Sequence, residues 1–152
     1  MKDLIKRKRF LLTTVFWTLV ATFIMAVGYI FIPMTMPIRR PLWPLFVTLA
    51  IISFLLGVIL IFLTLKEKVK GRLKRFLLLT GISVIGMPIS IILHNLIYSL
   101  FISFFGQGFW DRVGPGGDEP FFFIMAIFVC PIAFLVGVIG SIVSFVKQKN
   151  RP

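Results

Sequence analysis

Four long apolar segments alternate with short polar ones along the chain. They cover residues 10–32, 45–65, 76–105 and 121–146, and none of them contains Asp, Glu, Lys or Arg. Each reaches the roughly 20 residues that an α-helix needs to cross a hydrocarbon core of about 30 Å. No stretch shows the two-residue alternation of a barrel strand, and backbone groups in lipid must be paired within their own segment. The pattern therefore predicts an all-α membrane protein, a four-transmembrane-helix bundle in a single integral membrane domain over residues 1–152.

The overall composition excludes the soluble classes. The chain is 59% hydrophobic and 14% charged, with a mean hydropathy of +1.03, whereas soluble domains are about 45–50% apolar and about 25% charged. Because the first apolar segment is longer than a signal-peptide core and ends in aromatic residues and Pro33, we expect it to be a retained first span.

The basic residues are distributed unevenly between the predicted connections. There are 17 Lys and Arg against five Asp and Glu, a net charge of +12, and 14 of the 17 lie before the first span, between the second and third, or after the fourth. The positive-inside rule then predicts a multi-pass protein of the cell membrane with both termini cytoplasmic. The expected partners are the lipid bilayer and anionic lipid headgroups at the cytoplasmic face, and not nucleic acid.

The connection between the first and second spans is rich in proline. Pro33, Pro37, Pro41 and Pro44 lie within twelve residues. Because proline fixes φ and has no N–H to donate, the sequence predicts a stiff non-helical connection, with the second helix beginning after it, at Leu45.

The third span carries polar side chains at helical spacing, which form a predicted polar stripe. The stripe consists of Ser83, Ser90, His94, Asn95 and Tyr98. Polar groups inside a membrane are expected to face the bundle or a water-filled cavity, because contact with lipid is costly. A transporter or channel with a polar pathway along this span is therefore one functional hypothesis.

His94 is the only histidine, and it lies close to most of the acids. Eighteen residues of helix place it about 27 Å from Phe76, near the outer edge of the hydrocarbon core. The connection that follows holds Asp111, Asp118 and Glu119, three of the five acids. Pairing would create a proton-transfer or metal-ligand constellation, which is the basis of a second hypothesis, an outer-interface enzyme acting on a lipid-type substrate. The alternative, which we favour, is that His94 and Asn95 hydrogen-bond to neighbouring helices or interfacial water.

The fourth span has small residues on one face at steps of three and four. These residues are Ala126, Cys130, Ala133, Gly137, Gly140, Ser141 and Ser144. Such a face lets another helix approach closely, either within the same chain or from a membrane-protein partner or second copy.

Motifs of soluble enzymes are missing from the sequence. A single cysteine excludes an intramolecular disulfide, and no P-loop, GxSxG or HExxH motif occurs. We therefore predict no cofactor and no metal. The favoured function is that of a non-enzymatic accessory, assembly or regulatory subunit that acts through helix–helix contacts.

Overall fold

The structure is a computed structural model that describes residues 2–31, 36–113 and 118–149. In this part of the chain the helices are joined by short turns, and there is no strand. The elements are α1 (Lys2–Phe31), α2 (Met36–Lys66), α3 (Gly71–Phe105), α4 (Phe109–Val113), α5 (Pro120–Ile124), a π-helical turn (Met125–Val129) and α6 (Cys130–Lys149). We call α5, the π turn and α6 together the fourth span. Among the described residues, four helical segments are long and apolar enough to cross a membrane, which confirms the predicted class of fold.

Helices α1 and α3 begin earlier than the hydrophobic pattern predicts. Helix α1 starts at Lys2 and not at Phe10, and α3 starts at Gly71 and not at Phe76. The added residues are mostly Lys and Arg, which are good helix formers whose long side chains can reach polar surroundings from the end of a span. The apolar segments therefore mark the part suited to lipid, and the helices extend beyond it.

The prediction of a non-helical proline segment was wrong for the residues that the structure describes. Helix α2 begins at Met36 and contains Pro37, Pro41 and Pro44. Pro37 lies in the first helical turn, where the missing N–H would have had no intrahelical partner and the fixed φ suits a helix. Pro41 and Pro44 also lack an N–H to donate, but the helix continues through both. Thr48 donates its hydroxyl hydrogen to the carbonyl of Pro44 at 2.8 Å.

The fourth span is interrupted by a π turn, which the sequence pattern did not predict. The backbone N–H of Cys130 donates to the carbonyl of Met125, five residues earlier. The next residue, Pro131, has no N–H for the carbonyl of Ile127 four residues before it. A wider turn at this point is the usual adjustment of a helix that loses a donor.

Helix α3 is the centre of the bundle. It packs against both α2 and α6, while α1 packs against α2. The α2–α3 contact is close at two glycines, because a Cβ added to Gly81 would lie 3.1 Å from the carbonyl oxygen of Gly57. Aromatic rings join α1 to α6, with centroids 5.6 Å apart for Phe16 and Phe145. The core thus lies among all four spans.

The two ends of the bundle differ in charge. The turn between α2 and α3, residues 67–70, carries Glu67, Lys68 and Lys70 and follows Lys66, the last residue of α2, and we call this end the basic end. Lys68 and Gly71 have φ values of 49° and 69°, so the chain reverses tightly here. The opposite end carries the described parts of the α3–α5 connection with its three acids, and we call it the acidic end.

Candidate functional site

The structure brings His94 together with two of the three acids at the acidic end. The Nδ1 atom of His94 lies 3.0 Å from the backbone oxygen of Glu119 and 3.3 Å from Oε2 of the same residue. The Nε2 atom lies 3.5 Å from Oδ1 of Asp118. The imidazole is mostly buried, with 17% of its side chain exposed. Both ring nitrogens, Nδ1 and Nε2, therefore contact the connection that leads into α5.

Glu119 is held mainly by the helix that follows it. Its Oε1 accepts from the N–H of Phe121 at 2.8 Å, and its Oε2 accepts from the N–H of Phe122 at 3.0 Å. Pro120 occupies the first helical position, where proline is well tolerated. Glu119 is therefore the N-cap of α5, and its charge also suits the positive end of the helix dipole. Only 6% of this side chain is exposed.

The hydrogen-bond pattern indicates which nitrogen of the neutral imidazole carries the hydrogen. A carbonyl oxygen can only accept, so the contact with the Glu119 backbone assigns the hydrogen of the neutral ring to Nδ1. The neutral Nε2 is then an acceptor and cannot donate to Asp118. A second hydrogen on the ring would convert the 3.5 Å contact with Asp118 into an ion pair. In the neutral state the cluster fastens the start of α5 to α3 and leaves Asp118 half-exposed.

Asp111, the third predicted acid, does not join this cluster. It lies on α4 and is exposed, and the contacts of His94 involve Asp118 and Glu119. Within the described ranges no three His, Cys, Asp or Glu side chains are arranged to hold a metal ion. The buried carboxylate of Glu119 accepts from two backbone N–H groups and is therefore a helix cap, and His94 ties that cap to α3 through a hydrogen bond.

An aromatic cap covers the end of α3 beside the cluster. Trp110 of α4 is 8% exposed, and its indole N–H donates to the carbonyl of Tyr98 at 3.3 Å. Its ring is nearly parallel to that of Tyr98 at a centroid distance of 6.2 Å and lies 5.4 Å from that of Phe101. The hydrophobic pattern did not predict α4 or this role for Trp110, although an aromatic pair, Phe109 and Trp110, stands within a glycine-rich connection.

We expect Trp110→Phe to lower the free energy of unfolding by about 1 kcal/mol, because one hydrogen bond and part of a buried aromatic contact are lost. The midpoint of thermal unfolding in detergent micelles measures the change. Trp17→Phe is the matched control, since Trp17 is 49% exposed on α1 and should change the midpoint little. Equal effects of the two substitutions would contradict the role of the cap.

The five residues of the predicted polar stripe do not share one environment. Ser83 and Ser90 are buried, and Ser83 donates its hydroxyl hydrogen to the carbonyl of Leu79 on its own helix at 2.7 Å. His94 and Tyr98 face the acidic-end contacts, whereas Asn95 is exposed on the outer side of α3. A cavity of about 60 Å³ lies between α1, α2 and α3, and none of the five lines it. Its wall is almost wholly apolar.

Asn95 belongs to a second polar row that faces away from the bundle. Asn95, Ser99 and Ser103 are four residues apart, and all three are exposed. Each donates to a carbonyl four residues earlier in α3, at 2.8 Å, 2.8 Å and 2.9 Å. We call these three residues the outer ridge. The sequence shows their spacing but not the direction in which they point.

The small-residue face of the fourth span lies against α3. A Cβ added to Gly137 would lie 2.8 Å from the backbone nitrogen of Thr80 and 3.1 Å from the carbonyl oxygen of Phe76, and one added to Gly140 would overlap the ring of Phe76. Nearer the acidic end, Cys130 packs against Gly86. The close approach that small residues permit is thus used within this chain, and another molecule would need a different surface.

Comparison of the chain with protein-family models, with curated proteins and with solved structures finds no match.

Proposed function

We propose that the protein is a non-enzymatic membrane subunit that acts through helix–helix contacts, and that its contact surface is the outer ridge of α3. The observation that carries this proposal is the exposure of an amide and two hydroxyl groups in one row on a helix that also packs against two other spans. Helix α3 packs against α2, α6 and the turns of the acidic end, and Asn95, Ser99 and Ser103 lie on its exposed side together with apolar residues such as Leu100 and Phe104.

The exposed faces of α2 and of the fourth span show what a lipid-facing surface of this protein looks like, whereas α1 also exposes Thr14 and Thr18. Between residues 51 and 65, every exposed residue of α2 is aliphatic or aromatic, and the same holds for the fourth span between residues 128 and 146. The outer ridge departs from this pattern. In membrane proteins, polar residues of this kind commonly hydrogen-bond across helices.

The other two hypotheses receive less support. A transport pathway needs polar groups around a shared cavity, and the polar stripe is divided between buried, capping and exposed positions. An interfacial enzyme needs a carboxylate and an imidazole that face a substrate together, whereas Glu119 caps α5, His94 is mostly buried against it, and Asp118 alone is half-exposed. We therefore propose that the His94 cluster holds the connection before α5 against α3.

The charge distribution supports an orientation. The basic end would face the cytoplasm, together with both termini, and the acidic end would face the other side of the cell membrane. In that orientation anionic headgroups lie beside Lys66 and Lys70. The outer ridge then begins at the outer edge of the hydrocarbon core.

Site-specific photo-crosslinking in native membranes tests the contact surface. A benzophenone amino acid at position 99 or 103 should give protein adducts, because a partner helix covers the ridge. At position 100, which is turned about 100° from position 99 and about 60° from position 103, and at position 139 on the exposed apolar face of α6, it should label mainly lipid.

The decisive outcome is protein adducts on one side of α3 and lipid adducts at the other positions. Protein adducts at 99 and 103 that are lost on Asn95→Leu would support the assigned face, since one helix surface would then account for the whole pattern. Adducts of equal yield at 99, 100 and 139, or no protein adduct at any of them, would refute it.

A further inference from the structure

The cavity among α1, α2 and α3 has a buried hydroxyl group without a partner in its wall. Ser53 of α2 lines this cavity and is 2% exposed, and its Oγ makes no hydrogen bond with the described residues. The buried hydroxyl groups of Thr64, Thr80 and Ser83 differ, because each donates to the carbonyl four residues earlier in its own helix, at 2.7, 2.9 and 2.7 Å. An unsatisfied hydroxyl group in hydrocarbon is unfavourable, so Ser53 is suited to bind a molecule in the cavity.

Pro88 frees a second hydrogen-bonding group beside the same cavity. Val84 and Pro88 of α3 both line it. Because proline has no N–H, the carbonyl of Val84 lacks the donor that a regular helix provides four residues later. A hydroxyl group both donates and accepts, so one placed between α2 and α3 can accept from Ser53 and donate to this carbonyl.

The rest of the wall suits a hydrocarbon chain. It is apolar, with Phe23, Phe46 and Met87 among its residues. The α3 part of the wall, residues 84–91, lies about 12–23 Å from Phe76, in the middle of a hydrocarbon core of about 30 Å. Ile91 is 40% exposed, so the wall reaches the outer surface of the bundle at a depth where lipid chains surround it. A guest would therefore enter from the bilayer.

The volume of the cavity limits what it can hold. At about 60 Å³ it exceeds the roughly 10–15 Å³ that admits one water molecule, and it is smaller than the cavity of roughly 150 Å³ that binds benzene. A ring is therefore too large, whereas the end of a narrow chain fits. Water would pair with the two polar groups but wet the apolar wall, and a plain acyl chain would fill the cavity but leave Ser53 unpaired.

We propose that the cavity binds the hydroxyl end of a lipid alcohol, which is a long hydrocarbon chain that ends in a hydroxyl group. This hydroxyl group accepts from Ser53 and donates to the carbonyl of Val84. The first carbons of the chain pack against Phe46 and Met87, and the remainder runs past Ile91 into the bilayer. The site lies between the spans of one chain, so it does not depend on the contact surface of the proposed function.

Photolabelling of purified protein in phosphatidylcholine vesicles tests the site. The probe is octanol with a diazirine group along its chain, and the matched probe is the octane analogue that lacks the hydroxyl group. Mass spectrometry should place the alcohol adducts on residues 46–53 and 84–91, and an excess of unlabelled octanol should suppress them. At equal concentration in the membrane, the octane analogue should label these residues about tenfold less, because it makes neither hydrogen bond.

Variants of α2 test the role of the hydroxyl group. Ser53→Ala should lower alcohol labelling about tenfold, since it removes one hydrogen bond with little change in volume. Thr64→Val is the matched control, because the Thr64 hydroxyl group is already bonded within its own helix, and it should leave the labelling unchanged. Ala50→Leu enlarges a wall residue and should abolish the labelling. Without alcohol, the thermal unfolding midpoint of Ser53→Ala should equal or exceed that of the parent, because the lost hydroxyl group has no partner.

Three results would overturn the alcohol site. The first is equal labelling by octanol and by the octane analogue, which would mean that the cavity accepts any chain. The second is labelling of Ser53→Ala at the level of the parent, or an equal loss in Ser53→Ala and Thr64→Val. The third is the lack of adducts on residues 46–53 and 84–91.

Discussion

Gly137→Ala should lower the free energy of unfolding by about 2–3 kcal/mol. The new Cβ would lie 2.6 Å from the hydroxyl oxygen of Thr80 and 2.8 Å from its backbone nitrogen. A backbone atom in the middle of a helix cannot move aside, so α3 and α6 must separate along their whole contact, which is the cost of overpacking a tight interface. Unfolding by a denaturing detergent, followed by circular dichroism, measures the change.

Gly28→Ala is the control for this substitution. Gly28 also lies within a helix, but a Cβ there would meet no atom within 4 Å. Alanine is the better helix former, so this variant should be as stable as the parent or more stable by up to about 1 kcal/mol. If Gly137→Ala were equally harmless, the packing of α3 against α6 would differ from the one described.

Glu119→Ala should have the second largest effect, a loss of about 2 kcal/mol. The substitution removes the N-cap of α5 and leaves the N–H groups of Phe121 and Phe122 without their acceptor at the start of a membrane-spanning segment. It also removes the carboxylate next to His94. Hydrogen exchange of the two amides should rise sharply, which gives a local signature beside the change in unfolding midpoint.

Asp118→Asn is the matched control at the neighbouring position. It removes a charge at a half-exposed side chain and keeps the oxygen that accepts from the N–H of Glu119. The exchange of Phe121 and Phe122 should be unchanged. Slow exchange that persists in Glu119→Ala would show that the cap does not hold the start of the fourth span.

The spans could be predicted from the sequence because a membrane imposes one strong condition on composition. The segment from Phe76 to Phe105 has no charged residue, and its helical structure follows from the need to pair every backbone group in lipid. Helix ends were predicted less well. Lys and Arg continue a helix as readily as Leu does, and Pro37 is compatible with a first turn, so polar or proline residues do not by themselves mark where α1 or α2 begins.

The candidate site could be predicted only in part. The rise of an α-helix places His94 near the connection that holds the acids, and the structure shows contacts with Asp118 and Glu119. The choice among the acids depends on how the connection returns to the bundle, which spacing does not define. One local signal was available: an acid before Pro120 and an apolar run is typical of a helix N-cap. The direction of Asn95 depends on which sides of α3 are covered, and only packing determines that.

The π turn in the fourth span acts on the chain as a one-residue insertion would. Each residue of an α-helix turns the chain by about 100°, so the additional residue in the π turn changes the direction in which the side chains of α5 point relative to those of α6. Gly137 meets Thr80 and Glu119 meets His94 in the same structure, and the π turn lies between them. A chain shortened by one residue between Met125 and Val129 could form a regular helix, but Glu119 would then be rotated about 100° away from His94. The length of this segment is therefore as much a constraint on the sequence as the residues that it contains.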